Sequence, residues 1–229
     1  MDKMEEALNS VSKCESYNRW VFSLFERYVG DSVLEIGSGL GDISKFFKNR
    51  KRLVLVDNNK KFISHLENEY KGKGNAVVIR QDINEDITWL KKFCPDTVVC
   101  VNVLEHIEDD SRLLKKIHDI LQPGGNMIIL APALKSLYSD FDVMVGHHRR
   151  YSKRELRDKI VAAGFREKSI FYFNILGALG WFVCFKIMRS QKINERWLGL
   201  FDKIVFILKN FERLVKPALG LSIVVICAK

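Results

Sequence analysis

The segment from Ser32 to Ser44 carries the most specific chemical signal in the sequence. An apolar run stops there at Glu35 and is followed by Gly37, Gly39 and Gly41. This pattern predicts a buried strand that breaks into a glycine loop and then into a helix. Glycines in such a turn let backbone amides approach a ligand without a Cβ in the way. The segment is a candidate binding loop, although such turns can also serve only to pack a helix on a sheet.

A carboxylate follows at a spacing that suits a nucleotide-like ligand. A second predicted strand ends at Asp57, about twenty residues after the first glycine, where a carboxylate can hydrogen-bond ribose hydroxyls. The nicotinamide fingerprint G-x-G-x-x-G does not fit, because the third glycine comes one residue early. Glu35 stands just before the loop, where it can meet a cationic group.

These residues resemble class I S-adenosylmethionine-dependent methyltransferases, whose first motif looks like Glu35-x-Gly37-x-Gly39-x-Gly41. The resemblance implies a Rossmann-like fold and a loop that wraps the amino-acid end of S-adenosylmethionine, the expected cofactor. It assigns the following residues at the first two strand ends to cofactor binding: Glu35, Gly37, Ser38, Gly39, Gly41, Asp57 and Asn58.

Three later segments resemble the same family in the same order. Gln81-Asp82-Ile83 looks like the acidic position that contacts the adenine amino group, and Asn102 to Ile107 is similar to the segment that runs under the cofactor. The turn from Leu121 to Gly125 is similar to one in the quinone-pathway methyltransferases. The resemblance therefore adds these residues to the cofactor site: Asp82, Ile83, Asn102 and Val103.

A second concentration of reactive side chains lies between Leu137 and Ser152, in a loop that should cover the methyl donor. It resembles the "Asp, then Gly-His-x-Arg-Arg-Tyr" segment of a bacterial methyltransferase subgroup of surface-polysaccharide and lipid pathways. Methyl transfer to a hydroxyl is helped by a base, and histidine titrates near neutrality. His147 or His148 is therefore a candidate base, oriented by Asp142.

The same loop offers candidate substrate-binding residues, because arginine presents a planar fork to phosphate or carboxylate. They are Arg149, Arg150, Tyr151 and Tyr138. Alternatively, Ser152 and Glu155 only form a capping box for the next helix, with the arginines solvated nearby. No metal site is predicted, since the spacing of the aspartates and histidines matches no standard site.

The elements that position these residues alternate between strands and helices, which predicts an α/β fold with a doubly wound, mostly parallel sheet. Strands are expected at residues 32–35, 52–56, 76–79, 96–101, 126–130, 167–173 and 220–228. Helices are expected at residues 42–49, 59–71, 85–93, 111–121 and 153–163. The resemblance implies a seven-stranded sheet in which the last strand lies antiparallel between the fifth and the sixth.

Helical segments are expected at two places outside this alternation. Residues 1–30 are predicted to form a helical cap in which Tyr17 or Trp20 covers the cofactor, although both also fit an ordinary packing stripe with Val21 and Leu24. Packing is the favoured role for Trp20, while the two roles are balanced for Tyr17. The 174–219 segment is predicted to be a helical insertion between the last two strands.

The insertion is apolar and basic. Ile175 to Met188 is an apolar piece, and a second piece repeats apolar residues at helical spacing: Trp197, Leu200, Phe201, Ile204, Val205, Leu208, Phe211 and Leu214. Neither piece reaches the roughly 20 apolar residues needed to cross a bilayer. From Lys186 to Lys216 there are eight basic and three acidic residues, a balance of +5 within a chain of net charge +9. That combination is typical of a helix at a membrane interface, but a core or dimer helix can show the same stripe.

Length and composition favour one cytoplasmic domain. A chain of 229 residues with 47% hydrophobic content can bury one core. Five scattered cysteines without C-x-x-C spacing fit a reducing compartment, and the N-terminus lacks the features of an export signal. We therefore expect a cytoplasmic protein that contacts the inner membrane face peripherally.

The leading interpretation is a methyltransferase acting on a hydroxyl or amine of an amphiphilic, lipid-linked or anionic acceptor. A soluble small-molecule methyltransferase with the insertion as lid or dimer interface is the first alternative. A non-catalytic protein that keeps the cofactor fold and binds another protein through the insertion is the second. Nucleic acid is disfavoured, because the basic residues alternate with apolar ones on a helix rather than with aromatics on a sheet.

Overall fold

The computed structural model describes residues 3–190, 192–215 and 217–229. Its strands are β1 (Ser32–Ile36), β2 (Arg52–Asp57), β3 (Ala76–Arg80), β4 (Thr97–Val101), β5 (Asn126–Pro132), β6 (Arg166–Phe173) and β7 (Ser222–Ala228). Its α-helices are α1 (Lys3–Ser12), α2 (Glu15–Ser23), α3 (Lys60–Glu69), α4 (Asp110–Ile120), α5 (Asp140–Met144), α6 (Lys153–Ala162), α7 (Ile175–Trp181) and α8 (Glu195–Val215).

All these strands form one sheet in the order β3-β2-β1-β4-β5-β7-β6. The first five strands are mutually parallel, whereas β7 is antiparallel to both β5 and β6. The predicted fold class and the position of the last strand are therefore confirmed. Because the strand order reverses between β1 and β4, the carboxyl ends of these strands open a crevice for a ligand.

Helices cover both faces of the sheet. On one face, α4 and α6 bury residues such as Leu114 and Ile160 in a continuous apolar cluster. On the other face, Trp20 of α2, Leu66 of α3 and Val205 of α8 contribute to a second cluster. The central strands are buried on both sides, as expected of parallel strands between helical layers.

Two of the expected helices are only short 3₁₀ turns. The predicted helix 42–49 is a turn at Ser44–Phe47, and the predicted helix 85–93 is a turn at Thr88–Phe93. The first begins late because Gly41 has a left-handed φ of +82°, which extends the glycine loop. The second ends at Cys94, whose φ of 47° breaks the helical path just before Pro95. Pattern alone could not separate such turns from short helices.

The connection between β6 and β7 contains α7, a π-helical turn at Phe182–Ile187, and α8. Only part of the predicted apolar stripe of α8 faces the protein: Val205 and Leu208 are buried, while Trp197 and Leu214 are 68% and 83% exposed. Lys216, counted among the basic residues of the insertion, lies outside the described residues. Among the helices that the structure describes, none is long and apolar enough to cross a membrane.

Candidate functional site

A cavity of about 440 Å³ opens at the carboxyl ends of the parallel strands. Its walls come from the glycine loop after β1, the segments after β2, β3 and β4, and residues of α1, α2 and α5. Of the predicted cofactor residues, the following line the cavity: Tyr17, Glu35, Gly37, Ser38, Gly39, Asp57, Asn58, Asp82, Ile83, Asn102 and Val103.

The glycine loop has backbone conformations that only glycine adopts easily. Gly37 and Gly39 have φ of +73° and +52°, and a Cβ on Gly39 would meet nothing within 4 Å. Gly39 therefore presents its backbone to open space in the cavity, which is what close approach of a ligand requires. Gly41 does not line the cavity; a Cβ there would lie 2.9 Å from the Leu66 side chain, so this glycine allows close packing against α3.

Two carboxylates flank this loop. Asp57 accepts hydrogen bonds from the backbone N–H groups of Gly39 and Asn59, each at 2.9 Å, which fixes the loop against the end of β2. Glu35 is buried and accepts a hydrogen bond from the Ser44 hydroxyl. Burial, together with the nearby Asp42 and Asp57 carboxylates, raises the pKa of Glu35 to about 8 against the opposing hydrogen bond from Ser44. Glu35 is thus suited to receive a cationic group.

Tyr17 and Trp20 have different positions. Tyr17 lines the cavity and stacks on Phe173, with ring centroids 6.1 Å apart. Trp20 is buried and packs edge-on against the same phenylalanine at 5.1 Å. Trp20 therefore has a packing role, as its spacing favoured, while Tyr17 contributes to the cavity wall.

The loop after β5 brings Asp142, His147 and Arg150 together. Nδ1 of His147 lies 2.8 Å from Oδ1 of Asp142, and Nε of Arg150 donates to the same oxygen at 2.9 Å. Burial raises the pKa of Asp142, but the bonds from His147 and Arg150 outweigh it and hold this pKa below its ordinary value. An ionised Asp142 keeps the His147 proton on Nδ1, so the lone pair of His147 is on Nε2.

Glu105 and His106 complete this end of the cavity. Glu105 is 0% exposed, and neither of its carboxylate oxygens has a hydrogen-bond partner among the described residues. Its Oε1 lies 4.0 Å from Nε2 of His147, and the rings of His106 and His147 are 4.7 Å apart. Burial raises the pKa of Glu105 to about 7 despite the nearby His147.

Sequence reasoning did not assign a role to Glu105 or His106. Both follow β4 directly, in the segment that supplied Asn102 and Val103, and two adjacent ionisable side chains after a buried strand were the available signal. His147 is distant in sequence, so nothing local indicated that these three side chains meet.

The remaining predicted residues of this loop lie outside the cavity lining. His148 is exposed. Arg149 forms an ion pair with Asp110 at 3.2 Å. The buried Tyr151 hydroxyl lies 2.7 Å from Asp110, and the Tyr138 hydroxyl donates to the carbonyl oxygen of His147 at 2.6 Å. These contacts brace the loop against the protein.

Arg150 alone among the predicted substrate-binding residues lines the cavity. Its guanidinium lies 4.4 Å from the ring centroid of Trp181. The predicted cap is also present in part, since the Ser152 hydroxyl accepts a hydrogen bond from the backbone of Glu155 at 3.2 Å. The Glu155 carboxylate instead pairs with Lys135 at 2.7 Å.

The sequence was compared with protein families and with individual proteins of known name. Residues 34–129 match the model of a methyltransferase-domain family. A tRNA U34 carboxymethyltransferase of Desulforapulum autotrophicum is 32% identical over 108 residues, which are 45% of this chain and 33% of that protein. Human thiol S-methyltransferase TMT1A is 29% identical over 119 residues, 48% of each chain. The chain therefore spans about half or less of the length of these curated relatives.

Solved structures extend the similarity to most of the chain. The crystal structure of an S-adenosylmethionine dependent methyltransferase from Mesorhizobium loti has a TM-score of 0.61 at 11% identity, and the match covers 88% of this chain and 92% of that one. At this identity the match shows the fold. The matched segment and the shared fold support S-adenosylmethionine as the cofactor of the cavity at the strand ends.

Proposed function

We propose that this protein transfers a methyl group from S-adenosylmethionine to a hydroxyl of an amphiphilic acceptor. The observation that carries the proposal is the Asp142–His147 pair: His147 lines the same cavity as the cofactor residues, and its Nε2 has no hydrogen bond to a described residue. A hydroxyl is preferred over an amine, because an amine in its neutral form already has a reactive lone pair and needs this base less.

The residues of the cavity fit the cofactor. Glu35 offers a carboxylate to the ammonium group of S-adenosylmethionine. The open space beside Gly39 leaves room for the amino-acid end of the cofactor to approach the backbone. Asp57, Asp82 and Ile83 line the same cavity; in this proposal Asp57 binds the ribose hydroxyls, and Asp82 with Ile83 contacts the adenine ring. When bound, S-adenosylmethionine supplies a methyl group on a positively charged sulfur, which is open to attack by an oxygen lone pair.

His147 acts on the acceptor in this proposal. Nε2 of His147 takes the hydroxyl proton as the carbon–oxygen bond forms and the carbon–sulfur bond breaks. Asp142 holds the imidazole in the required tautomer and stabilises its protonated form, and Arg150 keeps Asp142 ionised. A group positioned in this way typically contributes a factor of about 10² to 10⁴ in rate.

An acceptor with an apolar part is supported by the cavity wall beyond His147. Phe141, Val145, Trp181 and Ile193 line it there, and Phe141 packs on Trp181 with ring centroids 5.3 Å apart. The two loop arginines are engaged elsewhere, Arg149 with Asp110 and Arg150 with Asp142. The acceptor site is therefore proposed to be mainly apolar, with neither Arg149 nor Arg150 available to bind phosphate.

The outer surface of the insertion supports an acceptor drawn from a membrane. The exposed residues of α8 include Trp197, Leu200, Phe206, Ile207, Phe211 and Leu214, each at least half exposed. Arg196 and Lys203 on the same helix are exposed and form no ion pair with a described residue. An apolar face beside free cations fits anionic lipid headgroups.

The test is a transfer assay with radiolabelled S-adenosylmethionine and an extract of host cells, separated afterwards into organic, aqueous, nucleic-acid and protein fractions. Label is expected in the organic fraction, and the H147A variant should transfer far less. Label confined to nucleic acid or protein, or no difference between the variant and the parent, would contradict the proposal.

A further inference from the structure

Three potential metal ligands meet in the wall of the cavity. The Glu105 carboxylate and the imidazoles of His106 and His147 place their ligand atoms within 4.8 Å of one another. Glu105 is fully buried, and both its oxygens lack a hydrogen-bond partner among the described residues. A buried carboxylate without a partner is costly, so a group that compensates its charge would stabilise this arrangement.

The hydrogen bonds of both histidines leave Nε2 as the nitrogen available to a metal ion. Nδ1 of His147 is bound to Asp142 at 2.8 Å, and Nδ1 of His106 lies 3.2 Å from the carbonyl oxygen of Gly146. A carbonyl oxygen only accepts, so His106 carries its hydrogen on Nδ1 as well. Metal-binding histidines usually donate their other ring N–H to a carboxylate or a backbone carbonyl in this manner.

We propose that Glu105, His106 and His147 bind a divalent transition-metal ion, of which Zn²⁺ is the best match, in the cavity that also holds the cofactor. Two imidazoles and one carboxylate form a recurrent ligand set for such ions, with further coordination positions left open. The ligands carry one negative charge, and Asp142 and Arg150 behind His147 offset each other, so the site suits a cation.

The three ligand atoms must move slightly closer together to bind one ion. Oε1 of Glu105 and Nε2 of His147 are 4.0 Å apart, whereas two ligands at about 2.0 to 2.1 Å from a tetrahedral ion lie about 3.3 Å apart. Rotation of the three side chains would supply this difference, because all of them line the cavity.

The role of the ion rests on the proposed function. An acceptor hydroxyl on an open position of the ion would release its proton to water more readily, because a bound cation stabilises the alkoxide. In the metal-loaded protein His147 holds the ion, and in the metal-free protein its Nε2 is available for the proton. The site itself does not depend on methyl transfer and can be tested without an acceptor.

The experiment is calorimetric titration of Zn²⁺ into the chelator-treated full-length protein, without any polyhistidine tag, together with the visible absorption of added Co²⁺. One ion per chain is expected, with intense cobalt bands of a site that is not six-coordinate. H106A and E105Q should each weaken Zn²⁺ affinity at least tenfold, while H65A, which removes an exposed histidine on α3, should leave it unchanged.

Folding is monitored separately by thermal unfolding and by binding of S-adenosylmethionine to each variant. E105Q removes a buried charge and keeps the shape of the side chain, so it should fold. No stoichiometric Zn²⁺ binding by the parent, or binding that H106A and E105Q leave unaltered, would overturn the site. Absence of methyl transfer with ion binding intact would instead overturn the proposed function alone.

Discussion

At the scale of single residues, two buried carboxylates at one end of the cavity have opposite environments. Asp142 accepts hydrogen bonds from Ser139, His147 and Arg150, and these bonds keep it ionised. Glu105 has no such donors among the described residues, and burial dominates its behaviour. His147 lies between the two, so the donors around Asp142 decide which of its nitrogens faces the cavity.

Replacing His147 by alanine should lower kcat by about 10² to 10⁴ while changing cofactor affinity little, because this side chain acts on the acceptor. The measurement is steady-state kinetics combined with calorimetric binding of S-adenosylmethionine. H148A should have a much smaller effect, since His148 is exposed and outside the cavity lining. Equal turnover of H147A and the parent would mean that the loop around His147 only binds the acceptor and supplies no base.

Glu35 should release a proton when the cofactor binds. Its pKa is about 8 in the free protein, so it is mostly protonated at pH 7. A bound ammonium group favours the ionised form and lowers that pKa, so close to one proton should leave at pH 7, and fewer as the pH rises above 8. The measurement is calorimetry at pH 7 in buffers that differ in protonation enthalpy.

The control for this proton release is E35Q, which cannot ionise. Its binding enthalpy should be independent of the buffer, although its affinity should fall because the ammonium group loses its carboxylate partner. A parent protein whose binding enthalpy is also independent of the buffer would show that Glu35 does not meet the cofactor.

At the scale of the elements, α8 holds the neighbouring helices through its acidic residues. Asp202 accepts hydrogen bonds from the first backbone N–H groups of α2, at 2.8 Å from Tyr17 and 3.4 Å from Ser16. Glu212 accepts from Asn174 and Ile175 at the start of α7, at 2.8 and 2.6 Å. Such carboxylates satisfy free N–H groups and interact favourably with the positive end of a helix.

These contacts connect the insertion to the cofactor cavity. Tyr17, Asn18 and Val21 of α2 line the cavity, and Asp202 fixes the end of that helix. Glu195, at the start of α8, binds Lys13 at 2.8 Å. Glu195 and Asp202 therefore contact the body of the protein, and Glu212 contacts the start of the insertion itself. Basic residues are left to define the charge of its outer surface.

Replacing Asp202 by alanine should lower the free energy of unfolding by about 1 kcal/mol, the usual effect of removing a helix cap. Hydrogen exchange should become faster across α1 and α2, and S-adenosylmethionine should bind more weakly, because α2 forms part of the cavity wall. Both quantities are measured on the purified variant by hydrogen-exchange mass spectrometry and calorimetry.

Two further variants test the cause. D202N keeps an oxygen acceptor and should restore most of the protection, whereas D158A removes an exposed carboxylate of α6 and should have no effect on α2. If hydrogen exchange in α2 of D202A were unchanged, packing of α2 against α8 would hold the N-terminal helices in place without this hydrogen bond.

At the scale of the whole molecule, apolar surface and positive charge coincide on one appendage. Trp197, Leu200, Ile204, Ile207, Phe211 and Leu214 recur at steps of three and four residues along the exposed side of α8. The chain has a net charge of +9, and Arg196 and Lys203 lie on this helix. If this surface contacts a membrane, as proposed, we expect it to prefer an anionic membrane over an uncharged one.

The protein should float with vesicles that contain phosphatidylglycerol and less with phosphatidylcholine alone, and the binding should weaken with salt. R196E combined with K203E should abolish flotation. K71E combined with K91E makes the same change in net charge at exposed positions outside the insertion and should retain it. A parent that stays at the bottom of the gradient and behaves as a dimer would make α8 a subunit interface instead.

The sequence by itself determined the parts of this protein whose signals are local. The glycine spacing after Glu35, the aspartate that ends β2 and the alternation of strands and helices predicted the sheet and a loop for a nucleotide-like ligand, because a turn and an apolar period depend only on neighbouring residues. S-adenosylmethionine as that ligand came from the resemblance to a family. The predicted order of the last two strands came from the resemblance to a family, since strand order is not a local property.

Tertiary structure decided which side chains meet and which charges they carry. Glu105 and His106 follow β4, His147 follows α5, and only the fold brings them within 4.8 Å. Tertiary contacts also assign Gly41 to packing against α3 and divide the α8 stripe into a buried and an exposed part. Burial and distance control desolvation and charge interactions, and both are properties of the packed chain rather than of its sequence spacing.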